Sequence, residues 1–477
     1  MYEIMRRRDV SWLLVVVTAV FVIVLCWQYP LSVSFPVGGD VMRYIARANA
    51  VKDALQFSIP DGFSLLIRNS SYPASILVVL VAGLVPIGWP EKWLLLMFLA
   101  QIACAGSLYY VVGKITGNRI TACLAAAAWA IVGLSFTRHI EDGTFAQLMS
   151  LPAFVFFLGQ LMNKKYITAI FWVMLSFLFH PVTGLVAGLV AVLYLVTNLD
   201  NFVSSSKKKV VGLVLLVISL GVAIYFLKKY DHLFLLDYSS DNGISLTDLL
   251  NSSFGTLLVM TPLGMIVFLR KYKREGQALV VATFILFLFI FQNQLVGESM
   301  FINRINSYPA IFVSIFSAIA IAEVVRTIRV ANILLRVLLV LVFFSMGVSV
   351  WSQQGNIYRY YDDPGNYARV HPDELAAIYW LRDNTAADDG IVSTVANRHS
   401  EWIPILSQRQ WVGLYADDVL FTADNFLFKK ISGEKGYDYA VVFKNREERV
   451  DLIKGGVSES SIVYQNDAAE IIKISQL

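Results

Sequence analysis

Gly38-Gly39-Asp40 lies just after the first long apolar run of the chain and is followed by Val41-Met42-Arg43-Tyr44-Ile45-Ala46-Arg47. A lone acid at a bilayer edge is costly unless it is paired or used. Helical spacing places Asp40, Arg43, Tyr44 and Arg47 on one face, and Val41, Ile45, Ala48 and Leu55 largely on the other. A polar face with one acid and two cations at a membrane rim suits a charged, lipid-linked substrate. An interfacial helix with snorkelling arginines is the alternative.

A second acidic pair, Glu141-Asp142, sits beside Arg138 and His139. It could hold a divalent cation, Mg or Mn, or supply a general base. Gly143 permits the turn that both acids would need to face one ion. Ordinary acids favouring the N-terminus of the helix expected at 145 are the alternative. His180-Pro181-Val182-Thr183-Gly184 interrupts a hydrophobic stretch, so His180 is a candidate contact for a phosphate or an acceptor, or else a satisfied structural histidine. Glu298, Asn303 and Arg304 precede a run containing Pro309. A guanidinium fork there matches phosphate oxygens. Lys228 and Lys229 are further candidate anion ligands. Tyr358-Arg359-Tyr360-Tyr361 could stack on sugars, or form an aromatic belt at a membrane interface.

These residues need a scaffold, and composition names its class. Of 477 residues 57% are hydrophobic and 16% charged, with a mean hydropathy of +0.61. Soluble domains carry roughly a quarter charged residues. The chain is therefore expected to be a polytopic membrane protein. The net charge of +4 is clustered rather than spread, which does not indicate nucleic acid binding. Cys26, Cys104 and Cys123 lie in apolar stretches and read as small buried hydrophobes. Arg6-Arg7-Arg8 before a long apolar run reads as an anchor rather than a cleaved signal.

Candidate helices fall at about 11–30, 72–89, 93–112, 120–137, 145–162, 166–180, 182–198, 210–227, 255–270, 278–292, 302–322 and 331–351. If all of them cross, the basic turns at Lys114/Arg119, Lys164/Lys165, Lys207–Lys209, Arg270–Arg274 and Arg326/Arg329 all lie outside, against the positive-inside rule. If 72–89 does not cross, all five lie inside. That segment is bounded by Tyr72-Pro73 and by Pro86-Ile87-Gly88-Trp89-Pro90, with helix breakers at both ends. It is read as a helix dipping in from the outer face. About eleven spans remain, with the N-terminus cytoplasmic. Asp40, Glu141-Asp142, His180 and the stretch from Glu298 to Tyr308 are then all outside. No internal repeat is evident.

Residues 1–351 form the expected membrane module, and 352–477 a separate, more polar exterior domain. Pro372-Asp373-Glu374 opens a capped helix. Gly390–Val395 and Tyr439–Phe443 read as strands, 446–453 as a helix and the chain end as a strand, giving a small α/β core. No Walker loop, HExxH or nucleophile elbow appears, so cytosolic nucleotide chemistry is unsupported.

Together these features resemble the GT-C superfamily of integral-membrane glycosyltransferases, which includes protein O-mannosyltransferases, aminoarabinose transferases of lipid A and oligosaccharyltransferases. The likeness covers the whole chain in layout. Asp40 matches the family's first acidic motif, and Asp142, or else Glu141, the second. Tyr72-Pro73 matches its Pro-led outer helix, and Arg304 ahead of Pro309 its basic residue before a Pro-containing span. Glu374–Thr385 and Glu401–Arg409 look like the opening of the exterior domain in prokaryotic members. One departure is Gly-Gly-Asp-Val where paired acids are common, and the WWDYG signature of oligosaccharyltransferases is absent.

The resemblance implies an α-helical polytopic enzyme of the plasma membrane with a C-terminal α/β exterior domain. It would move a single sugar, with inversion, from a polyprenyl-phosphate donor to a protein, lipid or polysaccharide acceptor. Asp40, Asp142 and Glu141 would be catalytic. Arg43, His139, His180, Lys229, Glu298 and Arg304 would bind substrate. No cofactor is fixed by the sequence; if a divalent cation takes part, Asp40 and Asp142 would hold it. A transporter or flippase of a lipid-linked glycan and a non-catalytic scaffold are the alternatives from other classes.

Overall fold

The computed structural model describes residues 13–27, 41–68, 72–132, 145–199, 255–296, 307–327, 371–394, 402–414, 437–444 and 461–473, with isolated positions at 210, 214, 217 and 221. It is mostly helical. The helices are α1 (Leu13–Trp27), α2 (Val41–Phe57), α3 (Ile59–Arg68), α4 (Pro73–Ala82), α5 (Trp89–Thr116), α6 (Arg119–Ile131) and α7 (Phe145–Met162). They continue with α8 (Tyr166–Phe179), α9 (Pro181–Thr197), α10 (Gly255–Val296) and α11 (Ser307–Thr327). Three described segments are long and apolar enough to cross a membrane: Glu91–Thr116, Phe145–Met162 and Ser307–Arg326. Of the other segments counted toward the expected eleven spans, 166–180, 182–198, 255–270 and 278–292 fall on α8, α9 and α10, whereas 331–351 lies outside the described residues.

The bundle is built around α7 and α11. α5 packs on α6 and α7, α6 on α11, α8 on α7 and α9, and α10 on α9 and α11. Phe154, Phe157, Phe268, Phe312, Phe316 and Trp129 are fully buried between them. α10 is two helical arms joined at Lys273, whose backbone is non-helical (φ 42°, ψ −117°). The break falls inside the Arg270–Arg274 turn expected between two spans.

Two ends of the bundle differ in chemistry. At one end, Lys271 Nζ donates to the Thr116 carbonyl at 3.1 Å, the Tyr272 hydroxyl donates to the Ile115 carbonyl, and Lys164 pairs with Glu275 at 2.9 Å. Three basic turns, far apart in sequence, therefore meet. The 446–453 segment expected as a helix lies outside the described residues.

α4 keeps both of its ends at the opposite end of the bundle. Ser75 Oγ at its start donates to the Phe179 carbonyl, and Lys92, in the first turn of α5, donates to the Gly83 carbonyl just past its finish. Ten residues span about 15 Å, half of a ~30 Å hydrocarbon core. The segment expected as one helix over 72–89 is this short helix followed by a turn, and it does not run the length of the bundle.

The described residues from 371 onward form an α/β unit; the expected boundary at 351/352 lies outside them. α12 (Pro372–Asn384) opens with a capping box. The His371 side chain accepts from the Asp373 amide while Glu374 accepts from the His371 amide. β1 (Gly390–Thr394), α13 (Ile403–Ser407), β2 (Gln410–Leu414), β3 (Tyr437–Phe443), β4 (Ile462–Gln465) and β5 (Ala469–Lys473) follow. The sheet order is β2-β1-β3-β5-β4, with β1 parallel to both neighbours and β5 antiparallel to both of its own. α12 packs on β4 and β5, and α13 rests on α2 as well as on α12.

Arg409 locks this unit. Its guanidinium donates to the carbonyls of Arg382, Thr385 and Ser407 and to the Thr385 hydroxyl, at 2.6 to 3.1 Å. It thus fixes the end of α12 to the α13–β2 connection. Arg409→Ala should destabilise the unit by about 2 kcal/mol, since hydrogen bonds from a charged donor contribute about 1.5–3 kcal/mol. A thermal melt showing an unchanged sheet signal would contradict this role.

Candidate functional site

The polar end of the bundle gathers residues from six separate stretches. The Thr183 hydroxyl, in the first turn of α9, lies 2.5 Å from Ser150 Oγ, 2.6 Å from the Tyr308 hydroxyl and 3.3 Å from His180 Nδ1. Ser150 Oγ donates to the Gln147 carbonyl at 2.5 Å, and Gln147 Nε2 donates to Ser307 Oγ at 3.4 Å. A hydroxyl has one proton to give and two lone pairs. Since Ser150 gives its proton to Gln147, it accepts from Thr183, and Thr183 accepts from Tyr308 and His180. The protons run in one direction, and the imidazole carries its proton on Nδ1. Ser150, Thr183 and Tyr308 are fully buried, and His180 is 4% exposed.

Aromatic rings wall this network. The Tyr72 ring lies flat on His180, 5.5 Å between centroids and 7° between planes. Tyr44 packs on Tyr72, Trp93 and Phe145, and the Ala146 amide donates to its hydroxyl at 3.4 Å. The sequence placed Tyr44 on the polar face of its helix. The structure corrects this: Val41, Tyr44, Ile45, Ala48 and Val51 form one buried stripe, while Arg47 is exposed. The tyrosine body is apolar and its single hydroxyl is satisfied by the start of α7, so burial is the favourable state.

α2, α4, α7, α9 and α11 all begin at this end, at 41, 73, 145, 181 and 307. The unsatisfied amides and the dipole at each start favour negative charge. Lys92 adds a full charge. It is the one lysine or arginine buried among the described residues, at 8% exposure. Its Nζ lies over the Trp89 ring at 4.8 Å, and no described carboxylate pairs with it.

Of the expected site residues, His180 lies in the network. Arg43 falls in α2, with its side chain outside the described set. Asp40, His139, Glu141, Asp142, Lys229, Glu298 and Arg304 lie outside the described residues. The chain leaves the segment containing Asp40 into α2, the one containing Glu141 and Asp142 into α7, and the one containing Glu298 and Arg304 into α11. All three helices start at the network. Among the described residues no cluster of three or more His, Cys, Asp and Glu could hold a metal.

Sequence reading passed over Tyr72, Trp93, Gln147, Ser150, Ser307, Tyr308 and Lys92 as site residues. Two signals were present. The tetrapeptide Ser-Tyr-Pro-Ala occurs at 71–74 and again at 307–310, a repeat too short to mark duplicated domains. A lysine in the first turn of a helix opposes the dipole, so Lys92 was out of place for a purely structural start.

Thr183→Val keeps the shape and deletes the shared hydroxyl. Ser150, Tyr308 and His180 lose the hydroxyl they share, at about 1–3 kcal/mol in all. A lowered thermal midpoint in detergent is expected, and an unchanged one would show the network to be dispensable.

Solved structures share this architecture. ArnT from Cupriavidus metallidurans, in a crystal structure bound to undecaprenyl phosphate, superposes with a TM-score of 0.59 at 14% identity, covering 96% of this chain and 98% of that one. Its apo form gives 0.59 at 15% identity, covering 98% of both. The arabinofuranosyltransferase AftD from Mycobacteria gives 0.55 at 14% identity, covering 96% of this chain and 41% of that larger one. The fold is therefore that of the GT-C glycosyltransferases. No curated relative matches the chain in sequence. A family model does match residues 68–361, which run from the end of α3 through the whole of the network's contribution from α4, α7, α9 and α11. By that match over more than half its length, the chain belongs to the EpsG family.

Proposed function

We propose that this chain is a membrane glycosyltransferase that moves a single sugar from a polyprenyl-phosphate donor to an acceptor at the outer face, inverting the anomeric centre. The observation that carries this reading is the gathering of five helix starts, a buried lysine with no carboxylate partner among the described residues, and a proton-ordered hydroxyl network at one end of an apolar bundle. Such a place favours a phosphate reached from within the bilayer. A protein of the same fold binds undecaprenyl phosphate, which supports the donor class.

In this mechanism the donor phosphate rests against the helix starts, Lys92 and Arg304, with Arg43, His139, Lys229 and Glu298 lining the substrate path. Asp40 takes the proton from the acceptor hydroxyl. The hydroxyl oxygen forms its bond to the sugar C1 from the face opposite the phosphate, and the C1–O bond to phosphate breaks. Polyprenyl phosphate leaves with the bonding electrons, its growing charge met by the surrounding donors. Glu141 or Asp142 orients the acceptor, or holds a divalent cation with Asp40. His180, fixed by Tyr72 and Thr183, holds the wall of the phosphate site. The N-terminus is cytoplasmic, and the α/β unit resting on α2 is exterior.

The test uses the full chain in lipid nanodiscs with a panel of labelled polyprenyl-phosphate sugars, following release of polyprenyl phosphate. Turnover on one donor would name it. Donor crossing the bilayer unaltered would replace this reading with that of a transporter, and absence of donor binding with that of a scaffold.

A further inference from the structure

At the end of the bundle opposite the candidate site, a cavity of about 230 Å³ is lined by Met162, Lys164, Lys271, Tyr272, Lys273 and Glu275. It is formed where the turn between α7 and α8 meets the break in α10. Three non-glycine residues among those described have positive φ, and two of them, Lys164 (φ 59°) and Lys273 (φ 42°), line this one cavity. L-residues rarely adopt such a backbone, and long side chains gain nothing from it. Glycine or asparagine would fit either turn at lower cost. Unfavourable backbone that persists at a lined cavity is characteristic of ligand clamps.

The charge balance identifies the ligand class. Burial alone would raise the Glu275 carboxyl, but its hydrogen bond and charge contact with Lys164 hold it below its ordinary range, so it stays ionised. It neutralises Lys164 and leaves Lys271 and Lys273 uncompensated within the lining. Lys271 Nζ is anchored on the Thr116 carbonyl, which fixes one cation at the rim, and the Tyr272 hydroxyl is anchored on the Ile115 carbonyl beside it.

We infer that this cavity is a second anion site, separate from the proposed sugar-transfer site, that takes a phosphate-bearing group. Lipid-headgroup phosphodiesters and free phosphate anions share that chemistry, and basic pockets between membrane helices are suited to both. The full chain is placed in nanodiscs and compared with Lys164→Gly/Lys273→Gly, which removes two cations while relieving the backbone at both turns. Inorganic diphosphate is titrated calorimetrically in phosphatidylcholine discs. The thermal midpoint is also measured with and without added phosphatidylglycerol. Saturable diphosphate binding that weakens by about tenfold or more in the variant assigns a free-anion site. A phosphatidylglycerol-dependent rise in midpoint that the variant loses assigns a headgroup site. Lys273→Asn alone, whose side chain tolerates positive φ, should show a smaller loss in the same assay and guards against misfolding of the double variant. Wild type responding to neither probe, or variants responding like wild type, would overturn the inference. None of these readouts depends on sugar transfer.

Discussion

Asp40→Asn should lower sugar transfer from the polyprenyl-phosphate donor by about 10²–10⁴-fold, the usual contribution of a positioned general base. That corresponds to about 3–5 kcal/mol of barrier. The substitution keeps size and shape and removes only the ability to take a proton. Because the proton moves in the transition state and not on binding, kcat should fall with KM nearly unchanged. The chain passes from Asp40 directly into α2, whose buried stripe runs from Val41 to Val51 with Tyr44 stacked on Trp93, and the substitution leaves that apolar packing in place, so the thermal midpoint should hold. Asp40→Glu should restore part of the rate, being still a base though longer by a methylene. If Asp40→Asn turns over at the wild-type rate, Asp40 has no part in the proton transfer, and Glu141 and Asp142 become the carboxylates to replace.

The largest expected effect on stability is at Gly264. A Cβ there would fall on the backbone carbonyl of Phe316 and within 2.9 Å of its Cα. α10 and α11 cross at this point, with the Phe268 and Phe316 rings 5.4 Å apart beside it. Backbone atoms in a buried helix cannot step aside as a side-chain tip can, so the two helices must separate. Overpacking of this kind costs about 1–3 kcal/mol and more when rigid groups collide, and Gly264→Ala is expected at about 3 kcal/mol or above. Unfolding entropy scales with chain length, so for this chain that is a drop of about 3 °C in the apparent midpoint. Gly106→Ala in α5 is the matched control. Nothing lies within 4 Å of its added Cβ, and alanine is favoured over glycine in a helix by up to about 1 kcal/mol. A neutral or raised midpoint is expected there. Equal behaviour of the two variants would mean that the α10–α11 crossing is looser than the structure shows.

The two substitutions probe different levels of the molecule, and sequence reached them unequally. Apolar runs, the Pro-led starts at Tyr72-Pro73 and His180-Pro181, and the basic turns are local patterns, because hydrophobicity and helix breaking act through neighbours in the chain. They were enough to give a helical membrane protein, the Pro-led helix at α4 and the capped helix at 372. The strands at 390 and 437 were legible for the same reason. β2 and β4 were not assigned, and the order β2-β1-β3-β5-β4 was out of reach, since parallel pairing is made by residues far apart in sequence.

The candidate site divides the same way. Charged residues beside apolar runs stand out singly, so Asp40, Asp142, His180 and Arg304 could be named from the sequence. Ser150, Thr183 and Tyr308 could not, because each alone reads as one hydroxyl in an apolar helix, satisfied by its own backbone. What joins them is the packing of α7, α9 and α11, which brings residues 33 and 125 positions apart to within 2.6 Å. The sequence by itself determined that the protein is a mostly helical membrane protein of the GT-C class, and it named the acids proposed for the reaction. Only the tertiary structure decided that the helix starts converge, that Tyr44 turns inward and that three lysines from two separate turns share one cavity, because these depend on distances between segments that no local pattern encodes.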